Sequence, residues 1–156
     1  KIIGFFSWPI NREGTVGRIT QRYGQRSYLY RGRPHNGLDI SAPIGTLLFA
    51  AADGIVKRVD NNDRSSWRKY QYGKYVVIDH ANNISTLYAH LSKQLVREGD
   101  MVRRGDVIGY AGKTGYATGP HLHLGVYLTS TLTYRALGAA AGLVPIGVAL
   151  NPEDYL

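Results

Sequence analysis

Apolar residues gather in short runs along this chain and seldom recur at helical spacing. Each run is rich in β-branched or aromatic side chains and is closed by Gly, Asn or Asp. Thr46-Leu47-Leu48-Phe49-Ala50 ends near Asp53-Gly54, and Ile55-Val56-Lys57-Arg58-Val59 stops at Asp60-Asn61-Asn62. Tyr75-Val76-Val77-Ile78-Asp79 runs into Ala81-Asn82-Asn83, and Ser85 to Leu91 follows at once. Short strands at this spacing, with turn residues between them, predict an antiparallel sheet or sandwich. Val96-Arg97-Glu98-Gly99-Asp100 and Val102-Arg103-Arg104-Gly105-Asp106 are two copies of a V-x-x-G-D turn and read as a tight barrel corner. Alanines between Tyr134 and Gly142 predict at most a short helix, because the glycines there cost helix stability. From Ala136 to Leu150 the chain is apolar, but these 15 residues include Pro145, Gly138, Gly142 and Gly147. A membrane-spanning helix wants about 20 apolar residues. The segment therefore reads as a buried or pocket-covering piece rather than a span.

Composition narrows the chemistry. A length of 156 residues fits one domain, given about 100–200 residues per domain. With 44% hydrophobic and 19% charged residues, disorder and coiled coil are poor readings. The absence of cysteine excludes a disulfide framework, a thiolate nucleophile and a thiolate zinc site, so any metal falls to His, Asp or Glu. An excess of 19 Lys+Arg over 11 Asp+Glu gives a net charge of +8 and points to an anionic partner: nucleic acid, a membrane surface or an acidic polymer. The opening Lys1-Ile2-Ile3 lacks the basic-then-apolar pattern of an export signal and reads as a mature form or an excised domain.

Five histidines carry the candidate chemistry. In Pro120-His121-Leu122-His123-Leu124 a strand would project His121 and His123 to one face and turn Leu122, Leu124 and Val126 to the core. Two neutral imidazoles side by side suit a zinc ion, although a surface pair reads the same way in isolation. In His35-Asn36-Gly37-Leu38-Asp39 a straight strand would hold His35 and Asp39 roughly 13 Å apart, at about 3.3 Å per residue. Only a bend at Asn36-Gly37 brings imidazole and carboxylate together. In Thr86-Leu87-Tyr88-Ala89-His90-Leu91, alternation gives an apolar face of Leu87, Ala89 and Leu91, and a polar face of Thr86, Tyr88 and His90. On that polar face His90 can be an acid, a base, a ligand or a solvated residue. His80, at a strand end, reads as a turn-fixing structural residue.

Taken in order, these clusters resemble the M23 family of zinc metallopeptidases, the lysostaphin and LytM type. Phe6-Ser7-Trp8-Pro9 is similar to the family's opening W-P strand, and Gln21-Arg22-Tyr23-Gly24-Gln25-Arg26 to its G-x-R segment. His35-Asn36-Gly37-Leu38-Asp39-Ile40 matches H-x-G-x-D. Ala50-Ala51-Ala52-Asp53-Gly54-Ile55-Val56, Tyr88-Ala89-His90-Leu91-Ser92 and Thr118-Gly119-Pro120-His121-Leu122-His123 follow in family order. Asn151-Pro152 and Tyr155-Leu156 match its ending. The resemblance implies a mostly β, antiparallel barrel-sandwich fold whose loops wall a substrate groove. It implies a single domain over 1–156: N-terminal strands and basic loop at 1–34, catalytic core at 35–128, an apolar insertion or groove cover at 129–150, and the C-terminal end at 151–156.

It further implies one zinc ion held by His35, Asp39 and His123, with His90 and His121 as the catalytic pair. His121 is the better base, His90 the oxyanion partner, and Tyr28 or Tyr30 a helper. The expected partner is peptidoglycan, cut by a monomer in the bacterial envelope, or by a secreted or phage lysin, with no nucleic acid and no membrane span in this chain. Which stem-peptide or cross-bridge bond is cut stays open. Two rivals belong to other classes. A zinc-free regulator of cell-wall amidases conflicts with the complete ligand set, and a biotinyl- or lipoyl-type carrier lacks its hairpin lysine. The loop from Asn61 to Tyr72, with Asp63-Arg64-Ser65-Ser66-Trp67-Arg68-Lys69-Tyr70, departs from shorter, Gly-rich relatives and is a candidate groove wall. Basic residues concentrate in Lys1–Arg33 and Lys57–Lys74, which suits attraction to an acidic cell wall.

Overall fold

The computed structural model describes residues 1–27, 31–64, 70–138 and 142–156. Among the described residues twelve strands form: β1 (Ile19–Gln21), β2 (Leu38–Ser41), β3 (Leu47–Phe49), β4 (Gly54–Asn61), β5 (Lys74–Asp79), β6 (Ile84–Gln94), β7 (Met101–Val102), β8 (Val107–Ala111), β9 (His121–Leu128), β10 (Thr133–Ala136), β11 (Leu143–Ile146) and β12 (Ala149–Leu150). The main sheet runs β1-β2-β9-β6-β5-β4-β7, with β8 on β6, β3 on β8 and β12 on β9. The pairings are antiparallel, and among the described residues this path does not close on itself. Single-turn 3-10 helices at Thr129–Thr131 and Pro152–Asp154 are the helical elements among the described residues.

The apolar runs became strands because the sheet is covered on both faces. Val76 and Ile78 of β5 enter the main core with Leu38, Ile40, Leu122, Leu124 and Val126. Tyr75 and Val77 enter a second core with Leu87, Ala89, Tyr127 and Val144. A strand buried on both faces reads as a continuous apolar run, as β5 does. The same double burial corrects the expected polar face of β6. Thr86 and Tyr88 are fully buried. Their hydroxyls lie 2.8 Å apart, the Tyr88 hydroxyl accepts the Ala51 N–H at 2.9 Å, and Thr86 Oγ1 is 2.7 Å from His80 Nε2. His80 Nδ1 donates to the Asp53 carbonyl at 2.7 Å, the structural role expected of it. Burial pushes its imidazole down, so it sits there neutral.

The segment expected to hold a short helix instead pairs as a hairpin, with Thr133 opposite Ile146 and Ala136 opposite Leu143. Around Tyr134 the strand is held by tertiary burial: Val144 fills the second core, with Leu132, Tyr134 and Ile146 packed against it. Residues 139–141 lie outside the described residues. The hairpin is tied down as well as packed. The Tyr75 hydroxyl donates to the Leu143 carbonyl at 2.6 Å, and the Leu143 N–H donates to Asp60 Oδ2 at 3.1 Å. The two V-x-x-G-D copies adopt one geometry: Arg97 N–H to Asp100 and Arg103 N–H to Asp106, both 2.8 Å, with Gly99 at φ +91° and Gly105 at +89°. Among the described residues no helix is long and apolar enough to cross a membrane.

Candidate metal centre

Strand register assembles the first two functional side chains. Asp39 of β2 lies directly opposite His123 of β9, and Ser41 opposite His121. Alternation along β9 sends Leu122, Leu124 and Val126 into the main core and leaves His121 and His123 on the other face, as expected. Opposed side chains of an antiparallel pair stand about 5 Å apart at Cβ, so Asp39 Oδ1 reaches to 3.0 Å from His123 Nδ1.

His35 joins them through the expected bend. Its N–H donates to the Gln25 carbonyl and its carbonyl accepts the Gly24 N–H, both at 2.8 Å. This holds the residue beside the sheet rather than in line with β2. Its Nε2 then lies 3.3 Å from Asp39 Oδ1 and 3.2 Å from His123 Nδ1. All three residues are buried.

Backbone carbonyls set the ring tautomers. A carbonyl only accepts, so an imidazole nitrogen beside one carries the hydrogen. His35 Nδ1 donates to Arg22 at 3.2 Å, His90 Nδ1 to Thr114 at 2.6 Å, and His121 Nδ1 to Gly119 at 2.8 Å. When neutral, each of these rings presents Nε2 as a lone pair. His123 is reversed: Nδ1 faces the donor cluster, and Nε2 is buried without a hydrogen-bond partner among the described residues.

His35 Nε2, His123 Nδ1 and Asp39 Oδ1 thus form a triangle of 3.0, 3.2 and 3.3 Å edges. A tetrahedral zinc with bonds near 2.0–2.1 Å places its ligand atoms about 3.3 Å apart. Spacing, burial and donor chemistry all fit that ion, and these are the residues able to hold a metal among those described. Burial pushes the Asp39 carboxyl up, but hydrogen bonds and charge from His123 and His35 outweigh it and hold the group ionised. Burial pushes the His123 imidazole down, toward the neutral form a metal ligand needs.

His90 reaches the site through a break in its own strand. β6 pairs with β9 as far as Ala89 opposite His123, then with β8 from Leu91 opposite Ala111. Tyr88 and Leu91, three apart, both enter the main core, so the alternation skips one residue. That residue is His90, at φ +66°. A left-handed non-glycine residue costs on the order of 1–3 kcal/mol, and such strain clusters at functional sites. The bulge delivers the ring to the far face, with its centroid 4.8 Å from His121 and 6.2 Å from His123. Burial, then His121 and His123, drive its imidazole down to about 3. His121 Nε2 stands 3.7 Å from Asp39 Oδ1.

Some contributors went unrecognised in the sequence. The Tyr72 ring lies 5.6 Å from His123 at a 31° tilt, and its hydroxyl accepts from Asn36 Nδ2 at 3.0 Å. Burial pushes that phenol up to about 12. The signal available for it was Asn36, next to His35. The carbonyls of Arg22, Thr114 and Gly119 left no signal, since every residue has one. Tyr28, Tyr30 and residues 65–69 of the loop from Asn61 to Tyr72 lie outside the described residues.

Comparison with known proteins settles the family. Residues 33–133 match Peptidase family M23. The chain belongs to peptidase family M23. DD-carboxypeptidase/endopeptidase Mpg of Neisseria meningitidis serogroup B is 46% identical over 139 residues, which is 87% of this chain and 28% of that protein. A zinc-containing peptidase of Vibrio cholerae aligns with TM-score 0.66 and 32% identity, over 92% of this chain and 39% of that one. The catalytic domain of lysostaphin from Staphylococcus simulans aligns with TM-score 0.68 and 25% identity, over 88% of this chain and 90% of that one. The lysostaphin-type fold is therefore shown, while this chain spans well under half of the Neisseria and Vibrio proteins.

In this M23 domain the glycine of the H-x-G-x-D motif has a steric cause. A Cβ on Gly37 would stand 2.6 Å from the Leu124 carbonyl and 2.7 Å from His123 Cε1 and Nε2. Gly37→Ala should push His123 off its position, weakening metal binding about 10- to 100-fold, as displaced ligand supports do, and lowering stability by about 1–3 kcal/mol. Metal titration and thermal unfolding read both effects. Wild-type affinity in the variant would show that the glycine is incidental.

Proposed function

We propose that this M23 domain is a zinc-dependent endopeptidase that hydrolyses amide bonds in peptidoglycan stem peptides or cross-bridges. The observation carrying this is the convergence of His35 Nε2, Asp39 Oδ1 and His123 Nδ1 within 3.3 Å, with His90 and His121 beside them. One zinc ion would be held by those three atoms, leaving a fourth position open, as in catalytic rather than structural sites. Bound there, zinc supplies Lewis acidity, polarising a peptide carbonyl and acidifying water.

The rest is work for the chain's own groups. His90 and His121 keep their protons on Nδ1, so at rest both present Nε2 as acceptors. His121 Nε2 takes the proton of the attacking water and afterwards returns it to the leaving amine. As an oxyanion partner at rest, His90 would need a proton on Nε2, and its bond to Thr114 with its burial leaves none there. His90 therefore acts first as an acceptor that orients the water. Buried Asp39 stays ionised and faces His121 Nε2 from 3.7 Å.

All five side chains come from one chain, which supports action as a monomer. The activities of the relatives, DD-carboxypeptidase/endopeptidase and zinc-containing peptidase, support the reaction class and the ion. A non-catalytic amidase regulator would have no use for the retained donor set. The envelope or the exterior follows as the place of action, and the +8 charge suits attraction to an acidic wall.

Digestion of muropeptides from several bacterial wall types, with product masses identifying the cut bond, tests this reading. Chelation should abolish cleavage and one equivalent of zinc restore it. High salt should weaken binding to whole walls while leaving small soluble peptides nearly unaffected. Cleavage that persists after complete metal removal, or its absence on every wall type with zinc bound, would overturn the proposal.

A further inference from the structure

His90 occupies a bulge, where no ladder partner restrains its ring, yet the mechanism above needs its Nε2 to be a bare acceptor aimed at the site. Neutral imidazole can carry its proton on either nitrogen. With the proton on Nε2 the same ring would present a donor where an acceptor is required. Something must hold both the ring and the tautomer.

We propose that Thr114 is the positioning residue that does so, gripping His90 from both sides of the bulge. The inference rests on the reading of His90 as an acceptor in the peptidase site. The Thr114 carbonyl accepts the His90 Nδ1–H at 2.6 Å, which fixes the tautomer and the ring plane together. Its hydroxyl donates to the carbonyl of Leu91, the next residue along β6, at 2.7 Å, and accepts the Lys74 N–H at 3.0 Å. One residue thus ties the His90 ring to the backbone that follows His90 and to the start of β5. The His90 N–H completes the grip by donating to the Tyr72 carbonyl at 2.8 Å.

Thr114 is itself wedged in place. A Cβ on Gly73 would lie 2.4 Å from both the Thr114 carbonyl carbon and its Oγ1, and a Cβ on Gly115 would lie 2.3 Å from the Gln71 carbonyl. Both glycines have positive φ, +65° and +73°. Backbones this close need two residues without side chains. The Gly115 N–H donates to Asp63 Oδ1 at 2.6 Å, and the Tyr116 N–H to the Gln71 carbonyl at 2.9 Å. Asp63 belongs to the loop that departs from the Gly-rich pattern, so that loop contributes to aiming His90.

Thr114→Val keeps the branched shape and removes both hydroxyl bonds, whereas Thr114→Ser keeps the hydroxyl. Three quantities are read for each: zinc content, kcat and KM on a soluble cross-linked muropeptide, and the His90 ring nitrogens by long-range 1H–15N correlation in the metal-free chain. Thr114→Val should still bind one zinc and keep KM within about twofold, while kcat falls about 10- to 100-fold, the range for outer-shell orienting partners. Its His90 nitrogens, one protonated and one bare in the wild type, should move toward averaged shifts. Thr114→Ser should recover most of the kcat and the split pattern.

If Thr114→Val fails to fold, Asp63→Ala, at an exposed position, should move the His90 nitrogens in the same direction by a smaller amount. An unchanged His90 spectrum in the folded variants, or a serine variant as impaired as the valine, overturns the proposal. The spectrum needs neither substrate nor turnover. A wild-type chain that cut no wall would therefore refute the peptidase reading alone, and the spectrum would still decide the role of Thr114.

Discussion

Replacing His123 with alanine should empty the metal centre and abolish cleavage, a loss on the order of 10³-fold or more. His123 is a proposed ligand making the two shortest edges of the donor triangle, 3.0 Å to Asp39 Oδ1 and 3.2 Å to His35 Nε2. Its removal leaves two donors. It also withdraws the hydrogen bond that does most to offset the burial of Asp39, so that carboxyl moves back up and becomes a poorer ligand. The gap opens between the Tyr72 ring and Gly37, in a part of the sheet that does not depend on the imidazole for its hydrogen bonds. Cooperative unfolding should persist with a cost of roughly 2–4 kcal/mol. Metal analysis on the purified variant is the deciding measurement, and a full equivalent of tightly bound zinc would show the ligand assignment to be wrong.

His90→Ala should give the opposite signature, keeping the metal while turnover falls about 10²- to 10⁴-fold, the usual contribution of a positioned proton acceptor. Its ring lies 6.2 Å from that of His123, and neither of its nitrogens belongs to the donor triangle. A second comparison separates strain from chemistry. At φ +66° alanine is as uncomfortable as histidine, whereas glycine is at ease. His90→Gly should therefore be as inactive as His90→Ala and more stable by about 1 kcal/mol. Full hydrolysis by His90→Ala would remove His90 from the mechanism, and loss of zinc would make it a ligand instead.

Legibility in the sequence tracked how local the determining physics was. The faces of β9 followed from alternation alone, because Leu122, Leu124 and Val126 demand one side and leave His121 and His123 the other. The twin V-x-x-G-D turns were legible because glycine announces its backbone conformation, and Gly37 marked the Asn36-Gly37 bend although its need there is steric. β6 was misread at Thr86 and Tyr88, since period-two reasoning assumes one wet face. Here the main core dries that face, gathering Tyr88 with Phe6, Ala51 and Tyr155 from distant parts of the chain, while the β10–β11 hairpin covers the opposite face at Leu87 and Ala89. The same hairpin defeated the expectation of a helix near Tyr134. His90 was expected beside His121 and lies there, but the skipped register that delivers it was not foreseen, because a bulge depends on β8 and β9 competing for one strand. The carbonyls of Arg22, Thr114 and Gly119 are the least legible of all, being main-chain groups brought in by loops.

The Asp39–His123 pairing lies on the β2–β9 ladder, inside the sheet and flanked by β1 on one side and β6 on the other. The spacing of those two candidate ligand atoms is thus a property of strand register, and a slip of one residue would turn both side chains to the opposite face. Small zinc domains, by contrast, acquire their fold from the ion and unravel under chelators. In this chain the ion and the fold should therefore be separable. Stripping and reloading should behave as a reversible switch on chemistry, with the polypeptide keeping its shape throughout and the site ready for whichever divalent cation its surroundings supply.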